Sequence, residues 1–117
     1  MAEIWIGTPP QKFRVLPDTS SANVWVYDED CAAVACLYHR NFKHDESATY
    51  IEDESDFELG NSDGGVKGVK AYDTVSFGST FAEKFHFGLI RSVDFIDYLA
   101  SDMEGVIGLA NPESSLD

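Results

Sequence analysis

Apolar and polar residues alternate with a period of two along most of this chain, and that spacing limits what it can fold into. Ile4 and Ile6 of "EIWIG" share a face, as do Phe13, Val15 and Pro17 of "KFRVLPD". In "NVWVY", Val24 and Val26 oppose Trp25 and Tyr27. A period of two is the pleat of a β-strand, whose successive side chains point to opposite faces. "DFELGNSDGGVKGVKAYDTVSFG" predicts a hairpin turning within "NSDGG", where Asp-Gly-Gly permits positive φ. Its second arm puts Val69, Ala71, Val75 and Phe77 on one face, and "EKFHFGL" alternates through Phe85, Phe87 and Leu89. "GTPPQ" and the acidic run Glu52 to Asp56, "EDESD", read as solvated turns. Only "SVDFIDYLASDM" has helical spacing, with Val93, Ile96, Leu99 and Met103 three or four apart. Many short strands separated by turn signals predict an all-β barrel or sandwich.

Charge narrows the function classes. Twenty-one acids against eight bases give a net charge of −13 over 117 residues, the length of one domain. Nucleic acid and anionic membrane surfaces both call for Lys and Arg, so neither is an expected partner. The acids either serve solubility or suit an acidic compartment, where protonation would relieve their repulsion. No apolar run reaches the roughly 20 residues that cross a bilayer. "MAEIWIGTPPQ" lacks the basic start and apolar stretch of a secretory signal. Cys31 and Cys36, with four residues between them, do not match a C-x2-C zinc knuckle. They fit a short-loop disulfide, which implies an oxidising compartment, or two reduced structural thiols. His39, His44, Asp45 and Glu46 lack ligand spacing and read as solvated polar residues, so no metal is expected. Ser20 and Ser21 have no G-x-S-x-G elbow around them. Trp25 and Tyr72 read as core.

Four blocks carry more. "IGTPPQKFRVLPDTSSANVWV" places Asp18 at the end of an apolar strand, before hydroxyl residues and a second strand. "CAAVACLYHRNFKHDESATY", "GGVKGVKAYDTVSFG" and "EGVIGLA" follow in order. Together they resemble the amino-terminal lobe of the pepsin-like aspartic proteases over nearly the whole chain. The first is similar to the family's opening, with its Asp-Thr-Gly triplet. The second resembles its short disulfide loop, implying a Cys31–Cys36 bridge. The third resembles the descending arm of its flap, and the fourth its Asp-Gly-hydrophobic-hydrophobic-Gly-Leu-Ala motif.

The resemblance implies a single lobe of an acid-protease β-barrel, with a flap hairpin and one short helix. It implies cleavage of peptide or protein substrates between large apolar residues at acid pH, without metal or organic cofactor, in a secreted or lysosomal setting. Catalysis would fall to Asp18, Thr19 and Ser20, and substrate binding to Leu16, Asn61, Gly64, Phe95, Met103 and Val106. Ser20 stands where the family has Gly, which strains the loop or offers Asp18 a hydrogen bond that lowers its pKa. Asn61 stands where the flap usually carries Tyr. Pro17 removes a strand N–H directly before Asp18, and Ala22 and Glu104 are milder departures. Only one such triplet is present, since "DTV" at Asp73 belongs to the flap arm. The lobe's first strand and the C-terminal lobe are expected to be missing. The second aspartate would then come from that lobe or from a second copy of the chain. A non-cleaving peptide-binding domain and a structural fragment with an exposed apolar interface are the alternatives.

Overall fold

The structure, a computed structural model, describes residues 2–18, 23–32, 34–37, 39–61, 64–93 and 103–108, without the side chains of 34, 35, 54, 59–61 and 64. Seven strands account for most of these residues. They are β1 (Ala2–Ile6), β2 (Gln11–Asp18), β3 (Val24–Tyr27), β4 (Ile51–Asn61), β5 (Gly64–Phe77), β6 (Thr80–Val93) and β7 (Gly105–Gly108). A single helical turn, α1 (Val34–Leu37), and a 3-10 turn (His44–Glu46) lie between β3 and β4.

Strand order is β1-β2-β7-β3-β6-β5-β4, and β1 also pairs with β5, so six strands close into a barrel from which β4 projects. The barrel expected for a single lobe is therefore present. Its interior is the alternating set read from the sequence: Ile4, Ile6, Phe13, Val15, Val24, Val26, Ala71, Val75, Phe85, Phe87 and Leu89 pack together, joined by Phe42 and Ile107. Burying each large apolar side chain is worth roughly 1.5–3 kcal/mol.

Strand β3 is buried on both faces. Val24 and Val26 enter the barrel. Trp25 and Tyr27 join a second apolar layer with Phe57, Val66, Ile90, Met103 and the Cys31–Cys36 disulfide. β3 runs parallel to β6 and antiparallel to β7, and β7 runs parallel to β2. Thus the last strand enters between the second and third. That slot is tight: a Cβ added at Gly105 would lie 2.2 Å from the Trp25 carbonyl oxygen.

Three local expectations change. "EDESD" is strand, not turn: Glu52 pairs with Ala71 and Asp53 with Lys70, a register break takes up Glu54 and Ser55, and Asp56 resumes pairing with Val69. The register sets Asp53 opposite Lys70 and Glu58 opposite Lys67, so lysines face acids across the hairpin. Ser92 and Val93, expected to start a helix, end β6, while residues 94–102 of that segment lie outside the described residues. Pro17 does share the strand with Phe13 and Val15 but is exposed. β1 flanks β2 only as far as Val15, so among the described residues Pro17 has a strand neighbour on one side alone, where a missing N–H is tolerated.

Gly105→Ala should destabilise the protein by about 1–3 kcal/mol through overpacking against β3. Urea unfolding followed by tryptophan fluorescence measures this.

Candidate functional site

Asp18 is the last residue of β2, registered with Gly108 at the end of β7. It is half-buried, neither sealed in the barrel nor fully in solvent. The alternation that sends Phe13 and Val15 inward puts Leu16 and Asp18 on the opposite face. Leu16 is 45% exposed there and is registered with Val106, which packs on the second apolar layer beside buried Met103. Three of the four residues expected to line an apolar pocket are thus on Asp18's side of the sheet. The fourth, Phe95, lies outside the described residues, as do Thr19, Ser20 and Ala22.

The β4–β5 hairpin reaches the same layer. Phe57 of β4 and Val66 of β5 are buried in it. Phe57 lies over Gly88 of β6, where a Cβ would come within 2.7 Å of the ring. The hairpin's last pair is Asn61 with Gly64. Both expected flap residues therefore stand where the hairpin reverses, and Ser62 and Asp63 between them lie outside the described residues.

Glu104 has a role that its mild departure from the motif did not foretell. Its Oε1 accepts from the Arg14 backbone N–H at 2.8 Å, and its own N–H donates to the Arg14 carbonyl at 2.7 Å. This two-way clasp fastens the start of β7 to β2, setting the register that carries Asp18 to Gly108.

A second polar constellation escaped the sequence. His44, expected in solvent, has a side chain only 13% exposed, with Nδ1 donating to Asp28 Oδ1 at 2.7 Å. Asp28 is fully buried, and its other oxygen accepts from Arg91 Nε at 2.9 Å. Burial works against the charged form of each cation. The bond to Asp28 and the surrounding carboxylates outweigh it, raising both pKa values. His44 with Asp28 and Asp30, or with Glu29 and Asp45, brings together atoms of the kind that bind cations. Arg91 and His44 already engage both Asp28 oxygens, so this is an ion-pair network centred on a buried acid. Asp45 and Glu46 are exposed as expected, and His39 packs its ring 5.5 Å from that of Tyr27. No pattern around Asp28 could have revealed the network, because Arg91 is 63 residues away.

Two further acids are committed to structure. Asp73, buried, accepts from Ser47 and Thr49 hydroxyls at 2.7 and 2.5 Å. Asp53 accepts from the side chain and backbone of Ser55 and lies 3.1 Å from His86 Nε2, and its pKa is lowered chiefly by the Ser55 bonds. His86 in turn stacks on Tyr72, with ring centroids 4.4 Å apart.

The family model described as eukaryotic aspartyl protease matches residues 1–117. Gastricsin of Cavia porcellus is 36% identical over 110 residues, 94% of this chain and 28% of that protein. Pepsin II-1 of Oryctolagus cuniculus is 37% identical over 112 residues, 96% of this chain and 29% of that protein. Cathepsin D of Gallus gallus is 37% identical over 117 residues, 98% and 29% respectively. The chain spans less than a third of the length of these relatives.

Glu104→Ala should cost about 1 kcal/mol by removing the acceptor for the Arg14 N–H. Amide exchange at Arg14 should quicken, which hydrogen-exchange mass spectrometry or NMR would detect.

Proposed function

This chain belongs to the eukaryotic aspartyl protease family, and we propose that it forms the amino-terminal lobe of an acid endopeptidase, with Asp18 as one of two catalytic carboxylates. The observation that supports this best is the position of Asp18. It is half-buried at a strand end, next to Gly108 and on the same face as the apolar Leu16. A carboxylate enclosed within the barrel would have ruled the reading out.

The chemistry needs a partner acid. Two carboxylates brought close cannot both ionise, so they share one proton, and aspartic proteases are the standard example of this sharing. The ionised acid takes a proton from a water, which attacks the scissile carbonyl. The protonated acid donates to the carbonyl oxygen and so polarises it. Asp18 supplies one acid, and the second comes from a companion lobe or a second copy of this chain. Because water is activated by the acids alone, no metal or organic cofactor takes part.

Thr19 and Ser20 complete the catalytic loop in this reading. Leu16, Phe95, Met103 and Val106 line the pocket for a large apolar side chain, and Asn61 and Gly64 lie in the flap that closes over the peptide. The exposure of Leu16 and the proximity of Val106 to the Met103 layer support that pocket. The Cys31–Cys36 disulfide supports an oxidising compartment, in keeping with a secreted or lysosomal setting.

A second reading, a lobe that binds peptides without cutting them, draws on Ser20 and on Asn61 in the hairpin's last pair, where a Tyr would otherwise cover the substrate.

In the full-length polypeptide, a pepstatin-type transition-state analogue should bind at acid pH. Asp18→Asn should weaken it at least about a hundredfold, the lower end of the preference for such analogues over substrates. Equal binding to wild type and Asp18→Asn, by calorimetry, would remove Asp18 from the mechanism. If peptide cleavage appears only when Ser20→Gly and Asn61→Tyr are combined, the non-cleaving reading is correct.

A further inference from the structure

The end of the barrel away from Asp18 is closed by a segment rich in charge. β2 runs from Gln11 to Asp18, so its ends lie roughly 23 Å apart at 3.3 Å per residue. At the Gln11 end, residues 41–49 fold over the barrel mouth. Phe42 is fully buried in the barrel core, with its ring 6.2 Å from Phe13 and 6.0 Å from Phe87. The Gln11 side chain bonds the Lys43 backbone in both directions. Ala48 N–H donates to the Thr8 carbonyl, while Ser47 and Thr49 hold Asp73.

His44 lies in the middle of this segment, with carboxylates on both sides of its ring. Nδ1 is 2.7 Å from Asp28 Oδ1 and 3.3 Å from Glu29 Oε2. Nε2 is 3.4 Å from Asp45 Oδ1 and 3.9 Å from Asp30 Oδ2. Ionised carboxylates only accept, and a neutral imidazole carries a single N–H. The Nδ1–Asp28 contact is the ring's hydrogen bond and the carboxylates facing Nε2 stand at ion-pair distance, so attraction on both edges requires the imidazolium. The other groups facing the ring are Arg91 of β6, bound to Asp28 and 3.7 Å from Asp30, and Tyr50, stacked at 5.0 Å. Tyr50 is pushed up to about 12 by burial and by nearby acids, Glu52 first among them, so its hydroxyl stays neutral.

We propose that His44 is a proton-operated latch, holding the barrel-closing segment against the ends of β3 and β6 while it is charged and loosening that segment when it is not. Four carboxylates, from Asp28, Glu29, Asp30 and Asp45, surround two cations. Without the charge on His44, Arg91 alone must compensate them. Burial lowers the pKa of His44, but the bond to Asp28 and the fields of Asp28, Glu29 and Asp45 raise it further, to a net position above 6.5. A group raised on folding stabilises fully below its unfolded pKa, and that stabilisation is lost as pH rises through the folded value. The latch is thus shut in acid and opens on the alkaline side of 6.5.

The test compares wild type, His44→Gln and His86→Gln across pH. In wild type and in His86→Gln, thermal stability should fall as pH rises above 6.5, and amides at 43–49 should exchange faster relative to those of β3 and β6. His44→Gln should lack that step. The same step in His44→Gln, or no selective change at 43–49 in wild type, would overturn the proposal. Should His44→Gln not fold, an NMR titration of His44 in wild type decides: a midpoint above 6.5 supports the latch, and one at or below 6.5 ends it.

Discussion

The four residues of β3 govern the architecture, because they are buried on both faces at once. Val24 and Val26 belong to the barrel interior, Trp25 and Tyr27 to the layer outside it. A short strand with no solvent face needs hydrogen-bonded neighbours on both edges, and β6 and β7 provide them. For β7 to reach its place it must pass close to the Trp25 backbone, which the lack of a side chain at Gly105 allows. Once β7 is seated between β2 and β3, the ends of β2 and β7 are neighbours. Asp18 then meets Gly108. The position of the catalytic candidate follows from how β3 is buried.

How legible this was depends on the range of the forces involved. The strands and their inward faces could be read because period-two alternation is local: Ile4 and Ile6, Phe13 and Val15, Phe85 and Phe87 all point inward as expected. Strand order was not legible from spacing, since neither the insertion of β7 nor the β1–β5 closure leaves a mark in any window of sequence. The "EDESD" run misled because its polarity resembles a turn, whereas pairing with β5 across from Lys70 holds it in a strand. For the site, Asp18 and its apolar neighbours Leu16 and Val106 could be named from motif positions. Their shared face follows from alternation. The commitment of Glu104 to Arg14 and of Asp28 to Arg91 could not be foreseen, since each joins residues distant in sequence.

The two ends of the barrel divide the chain's acids by role. At one end an apolar layer of Trp25, Phe57, Val66 and Met103 flanks the half-buried Asp18 at a strand terminus. At the other, Asp28 and Asp73, the buried acids among the described residues, are tied to Arg91, His44, Ser47 and Thr49. Buried ion pairs are weak sources of net stability, and removing one partner is costly because the other is left uncompensated. Their use here is to fix one arrangement of the closing segment.

β4 carries a further consequence. Among the described residues it pairs only with β5, so its outer rim offers free backbone groups to any passing strand. Glu52, Asp56 and Glu58 stand exposed along it and repel a like-charged neighbour at neutral pH. Approach to the isoelectric point near 4.3 removes the net charge that keeps copies of the chain apart. The open edge of β4 is therefore least guarded against clumping where the chain's net charge is smallest.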